Sequence, residues 1–166
     1  MAVTGKIDRK YMAHYIDAGS LCGGLTPKYE RLGKDLEEYN IELNPDTETS
    51  KNILGEPTFK HNGYEVSSDA DPFYADTTSD LFTALQKIVD GRLKDDNLKT
   101  KAVEVHLWTE ATAGKYEAYQ QDCYVVPTSY GGDTSGYQIP FTVNYVGERV
   151  KGKFDINSGT FTADSE

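Results

Sequence analysis

The sequence predicts a mainly β, α+β fold: a β-sandwich or open barrel of about eight strands, with one flanking α-helix over about residues 79–90. Three observations predict it. Apolar and polar residues alternate in several separate segments, the signature of half-buried strands. One stretch instead carries a single apolar stripe at helical spacing. Clusters of Gly, Pro, Asn, Asp and Ser punctuate the segments between them.

Taken in chain order, residues 1–28 read as an N-terminal arm, punctuated by Gly19, Gly23, Gly24 and Pro27 and with little periodicity. Residues 29–166 read as one domain, a usual outcome for a chain of 166 residues. Two short strands are expected between Tyr29 and Leu43. In the second, Tyr39, Ile41 and Leu43 alternate with Glu38, Asn40 and Glu42. Residues 44–57 follow as a long polar loop holding Pro45, Gly55, Pro57 and the apolar pair Ile53-Leu54. Structureless loops of that length are uncommon inside a domain and are often functional.

Phe59 to Val66 reads as the next strand, bent near Asn62-Gly63. The helix comes next. Thr77-Thr-Ser-Asp80 offers a capping residue and an early carboxylate, which suits the positive end of a helix dipole. Leu81, Phe82, Leu85, Ile88 and Val89 form its core-facing stripe. Gly91 is expected to supply the left-handed residue that ends it. Val103, Val105 and Leu107 then alternate with Glu104, His106 and Trp108, and Tyr116 to Val126 gives another strand that Pro127 ends. After a turn-forming loop, Ser129 to Gly136, Ile139, Phe141, Val143 and Tyr145 alternate with Gln138, Pro140, Thr142 and Asn144. Val150–Ile156 and Thr160–Ala163 close the chain around an Asn157-Ser-Gly159 turn.

Composition excludes several classes. No apolar run approaches the roughly 20 residues of a membrane span, and the polar start lacks the apolar stretch of a signal peptide. Lys and Arg total 17 against 27 Asp and Glu, a formal charge of −10. Nucleic-acid affinity comes from neutralising phosphates with Lys and Arg, so this chain has no electrostatic means of gripping DNA. Solubility alone and repulsion of a passing polyanion both explain such acidity. Cys22 and Cys123 form no Cys-x-x-Cys motif and read as small packed side chains.

No catalytic constellation emerges. His14, His61 and His106 lie in different elements without metal-ligand spacing. No serine sits in a Gly-x-Ser-x-Gly setting, and the Gly-rich 129–136 loop lacks the Gly-Lys-Ser/Thr ending of a phosphate cradle. Adjacent carboxylates such as Glu37-Glu38 point to opposite faces of a strand. The reading is of a non-enzyme without cofactor, metal or catalytic residues. The 12 tyrosines are more informative. Some fill a core; the rest suit a chain that buries outer surface against neighbours, because tyrosine pairs apolar area with a polar tip.

Three sequence strings carry a resemblance. Tyr29-Glu-Arg-Leu-Gly-Lys-Asp-Leu-Glu-Glu-Tyr-Asn-Ile-Glu-Leu-Asn-Pro-Asp46 is followed by Lys51-Asn-Ile-Leu-Gly-Glu56. Ser129-Tyr-Gly-Gly-Asp-Thr-Ser-Gly-Tyr-Gln-Ile-Pro-Phe141 is the second, and Val150-Lys-Gly-Lys-Phe-Asp155 with Phe161-Thr-Ala-Asp164 the third. In this order they resemble the major tail (tail tube) proteins of siphophages and prophages, a family related in fold to type VI secretion tube proteins. The resemblance implies a tail-tube-like sandwich that forms hexameric rings. The rings stack into a virion tail tube through which DNA is ejected, assembled in the bacterial host cytoplasm. It implies as partners the chain itself and the tape-measure, tail-tip and terminator proteins, with DNA passing unbound. The C-terminal immunoglobulin-like domain of some relatives is not expected. A tail terminator, a capsid decoration protein and a solitary ligand-binding sandwich are the alternatives.

Rings need an interface whose rotation closes, and tubes need a second contact that repeats without closing. Unpaired sheet edges can supply the first. Glu38, Asn40, Glu42, Thr142 and Asn144 are the candidates for lining a polar, acidic lumen, with an exterior face as the alternative. Asn52, Ile53 and Leu54 are the candidates for ring-to-ring contact, with a loop folded onto its own domain as the alternative.

Overall fold

The computed structural model describes residues 2–109 and 112–164. Met1, Glu110, Ala111, Ser165 and Glu166 lie outside it, and with them the outermost residues of the expected 1–28 and 29–166 segments. Twelve strands and one α-helix follow along the described chain: β1 (Met12–Asp17), β2 (Tyr29–Arg31), β3 (Ile41–Glu42), β4 (Pro45–Lys51), β5 (Pro57–Tyr64), β6 (Ser67–Ala70), α1 (Asp80–Gly91), β7 (Lys99–His106), β8 (Lys115–Pro127), β9 (Gly131–Asp133), β10 (Gly136–Gln138), β11 (Phe141–Asp155) and β12 (Thr160–Ala163). Eight of them build one antiparallel sheet in the order β2-β1-β7-β8-β11-β6-β3, with β12 on the far end of β11. The mainly β fold with one helix against an eight-stranded sheet is the one the sequence predicts. β4–β5 and β9–β10 form two separate ribbons.

The helix lies where the stripe places it. Ser79 caps it, its hydroxyl accepting from the Phe82 N–H at 3.1 Å, and Asp80 sits in the first turn. Leu81, Leu85, Ile88 and Val89 are buried with Ala84, while Phe82 is half-buried and meets Tyr137 edge-on at 6.2 Å. The helix stop differs from expectation. Arg92, not Gly91, takes the left-handed conformation, at φ 49°. Gly91 is needed for space instead: Leu93 folds back so that a Cβ at 91 would stand 3.1 Å from its Cδ2. Arg92 reinforces the stop by donating from its guanidinium to the Val89 carbonyl at 2.9 Å.

Two cores form, on opposite faces of the same sheet. One lies under α1 and takes Cys123 and Val125 from β8 and Phe141 and Val143 from β11. The other takes Ala118 from β8, Phe154 from β11, Ala13 from β1 and Val103 and Val105 from β7. Inward positions are therefore odd-numbered at one end of the long strands and even-numbered at the other. Side chains alternate across a strand, so each long strand serves both cores in turn. Phe154 is fully buried beneath Tyr15 at 4.5 Å and Tyr29 at 5.7 Å. The segments read as separate strands around 138–145 and 150–156 are one strand, β11, interrupted by a register shift between Val146 and Val150.

Two other segments differ from the sequence reading. Residues 12–17, placed in the arm, form β1, second from one end of the sheet and paired with both β2 and β7. Both faces of β1 are covered, with Ala13 in one core and Ile16 in the other, so no alternation appears in its sequence. Asp17 is buried at its end and accepts from the Lys28 N–H at 2.8 Å and the Ser20 hydroxyl at 2.6 Å, which closes the following turn. Residues 44–57, read as a loop, hold β4 and the turn into β5. The bend expected near Asn62-Gly63 is a bulge, with Asp46 opposite Gly63 and Thr47 opposite His61.

β2 and β3 lie at opposite ends of the sheet, and residues 32–40 cross between them over the helix-bearing face. Leu32 and Tyr39 anchor this strap in the core. The Tyr39 hydroxyl accepts from Ser68 at 2.7 Å and lies 3.2 Å from the Tyr145 hydroxyl.

Candidate assembly surface

β4 and β5 make a ribbon that continues the β3–β6 pairing beyond the edge of the main sheet. At the junction Asn44 turns the chain with a positive φ of 43°, and its side chain donates to the Glu65 carbonyl at 3.0 Å. Every residue from Glu42 to Asn62 is exposed. A two-stranded ribbon with neither face covered is marginal in water.

Its tip is ordered. The Asn52 carbonyl oxygen of the side chain accepts from the Leu54 N–H at 2.9 Å and the Glu56 N–H at 3.0 Å, and its amide donates to the Glu56 carboxylate at 3.0 Å. Gly55 has a φ of 79°, a left-handed position that favours glycine. Ile53 is fully exposed and Leu54 is 75% exposed. The three residues expected to make contact therefore divide: Asn52 holds the turn, and Ile53 and Leu54 are presented by it. Phe59, on β5, adds a further apolar residue, 66% exposed.

The five lumen candidates also divide. Glu42, Ser67 and Asn144 form one cross-strand row, and Thr142 lies beside it, donating to Asp69 at 2.8 Å. Glu38 and Asn40 sit on the strap and bond each other at 2.6 Å. Strand pairing brings Tyr124 opposite Asn144 and Lys99 opposite Tyr124, while Lys101 pairs with Asp122. This face is acidic near β3 and β6 and carries lysines three strands further in from β6, on β7. Sequence alternation alone does not reveal Asp69, Lys99 and Lys101 as neighbours, because the register across strands sets them together.

At the base of the ribbon the sheet and the strap enclose a groove of about 910 Å³. Ile41, Leu43, Tyr64, Tyr145 and Val146 form its apolar walls, and Glu104 and Arg149 its polar end. Arg149 pairs with Glu104 while its guanidinium lies 4.0 Å over the Tyr119 ring. His106 bonds the same carboxylate at 3.0 Å and stacks on Trp108 at 4.3 Å. The histidines at 14 and 106, unrelated in sequence, thus come together around Glu104, which is opposite His14 in the β1–β7 pairing. Among the described residues no group of three His, Cys, Asp or Glu is arranged to hold a metal ion, and no helix is long and apolar enough to cross a membrane.

His14 gives this region a pH response. An arginine only donates, so the 3.0 Å contact with the Arg9 guanidinium fixes His14 Nε2 as an unprotonated acceptor. Burial, then the Arg9 charge, lower its pKa to about 4 from the usual 6.5. The unfolded chain therefore binds the extra proton first as pH falls. The His14 contribution to stability is expected to be complete above pH 6.5 and to decline between there and pH 4, by roughly 3 kcal/mol at about 1.4 kcal/mol per unit. Thermal unfolding across pH 4–7 should show this slope, and His14→Asn should flatten it; an equal slope in both proteins removes His14 as its source.

No family model and no curated protein sequence matches the chain. Among solved structures, it is similar to the PVC sheath/tube terminator of an extracellular contractile injection system in its extended state. That likeness has a TM-score of 0.49 and 10% identity, over 90% of this chain and 99% of that one. It is also similar to the anti-feeding prophage cap, a tube terminating cap, with a TM-score of 0.49 and 10% identity over 91% and 93% of the two chains.

Proposed function

We propose that this chain is a non-enzymatic structural subunit of a phage-type tail tube, joining copies of itself edge to edge into rings that stack through the β4–β5 ribbon. The ribbon carries the reading. An ordered turn that holds Ile53 and Leu54 in water has no use within its own subunit, and burial of each side chain stabilises by about 1.5–3 kcal/mol. The sequence resemblance to tail tube proteins supports the same role. The sheet ends on two short strands, β2 with 3 residues and β3 with 2. Neighbours pairing with those edges would satisfy their free N–H and C=O groups and close a wide ring around an aqueous channel.

In that ring the Glu42–Ser67–Asn144 row is the proposed lumen wall, past which DNA moves without being held. Tape-measure, tail-tip and terminator proteins are the proposed partners at the ends, in a virion assembled in the host cytoplasm. A tube subunit must both offer a ribbon and receive one, whereas a terminator needs only one of the two functions. Purified protein should therefore form stacked rings at high concentration, seen by negative-stain microscopy. Single rings that never stack would assign the chain to the end of a tube instead, and a monomer at every concentration would refute self-assembly.

A further inference from the structure

We infer that the groove at the base of the ribbon is the receptor for the ribbon tip of a second copy of this chain. The inference rests on the stacking role proposed above and names the surface that receives it. Three observations select this occupant.

The first is reach. β4 spans 7 residues, roughly 24 Å at about 3.4 Å per residue. Leu43 and Tyr64 line the groove at the foot of this ribbon, so a subunit cannot deliver its own tip to its own groove. A neighbour can. The second is apolar complementarity. The tip offers Ile53 and Leu54 fully or largely exposed, and the groove offers Leu43, 54% exposed, and Tyr64, 60% exposed, with Val146 beside them. The third is charge. Glu56, two residues after Leu54, has one side-chain bond to Asn52, leaving most of its carboxylate free. Arg149 stands at the polar end of the groove with its side chain 51% exposed, and only part of its donor fork is taken by Glu104.

Tip and groove lie on different parts of the molecule, so their union is heterologous, and it extends beyond two copies when each groove takes its tip from a further copy rather than by return exchange. Each subunit then gives a tip in one direction and accepts one from the other, which is the polarity a growing column requires. The length of the ribbon sets the repeat along that column.

Cysteine pairing tests the contact. A chain with Leu54→Cys and a second with Val146→Cys, mixed at concentrations where the parent protein assembles and then mildly oxidised, should give an intermolecular disulfide at least tenfold above a control pair of Leu54→Cys with Ile156→Cys. Enrichment no greater than the control overturns the inference. A second variant, Leu43→Asp with Val146→Asp, changes two exposed groove residues and should abolish stacking while circular dichroism stays that of the parent. Continued stacking by that variant also overturns the groove assignment, yet leaves the ribbon's role intact. Should the parent protein form no stacks, the proposed function fails, and the same two cysteine pairs, oxidised at the highest soluble concentration, then decide the tip–groove pairing alone.

Discussion

Replacing Ile53 and Leu54 together by aspartate is expected to yield a folded subunit that forms no tubes at any concentration where the parent does. Both side chains are exposed in the subunit, and surface substitutions of this kind change stability by only about 0.5 kcal/mol. The turn itself survives, since Asn52 and Gly55 hold it. What disappears is the apolar burial at the contact, about 3–6 kcal/mol per tip for two aliphatic side chains. Two charges must also enter an apolar groove. Summed over the six tips of a proposed ring, even the lower figure separates complete assembly from none. Sedimentation and negative-stain imaging read the result, with thermal unfolding as the check on folding. Normal tubes from this variant would remove the ribbon from the stacking contact.

Phe154→Ala is expected to cost about 3–5 kcal/mol, the usual penalty for emptying a large aromatic site in a core. Phe154 is fully buried. It faces Tyr15, Tyr29 and, across the β11–β12 pair, Phe161. Collapse of these rings into the space is limited on one side. Gly152 is already so close to Phe161 that a Cβ there would lie 2.6 Å from its Cζ. For a chain of 166 residues the melting temperature falls by about 2–4 °C per kcal/mol, so a drop of roughly 6–20 °C should be measured by calorimetry. A loss under about 2 °C would show that the second core contributes little.

The parts of the fold visible in the sequence are those with one wet face and one dry. The helix is such a case, since Leu81, Leu85, Ile88 and Val89 recur on one side and Thr83, Lys87 and Asp90 on the other. β1 was hidden for the opposite reason: Ala13-His14-Tyr15-Ile16-Asp17 packs on both faces, so no period survives. β4 was hidden because neither face of it packs on anything. Of the candidate assembly surface, Ile53-Leu54 stands out as an apolar pair in a polar run, whereas the turn-holding role of Asn52 depends on hydrogen bonds that no pattern encodes. The groove is illegible in one dimension. Its residues span His14 to Arg149, and Ile41 and Leu43 reach it only because the 32–40 strap carries the chain from one end of the sheet to the other.

The exchange of inward positions along β8 and β11 also governs how the chain tolerates changes of length. In β11 the stretch from Val146 to Val150 faces only Asp122 to Gln120 of β8, so slack is already stored at the point where the two halves meet. One added residue there would put the second half out of phase. Gly152 and Phe154 would rotate into water, while Phe141 and Val143 kept their places. A pair of added residues would restore the frame. At the middle of this strand, then, a change of length by two keeps the inward positions in step, and a change by one does not.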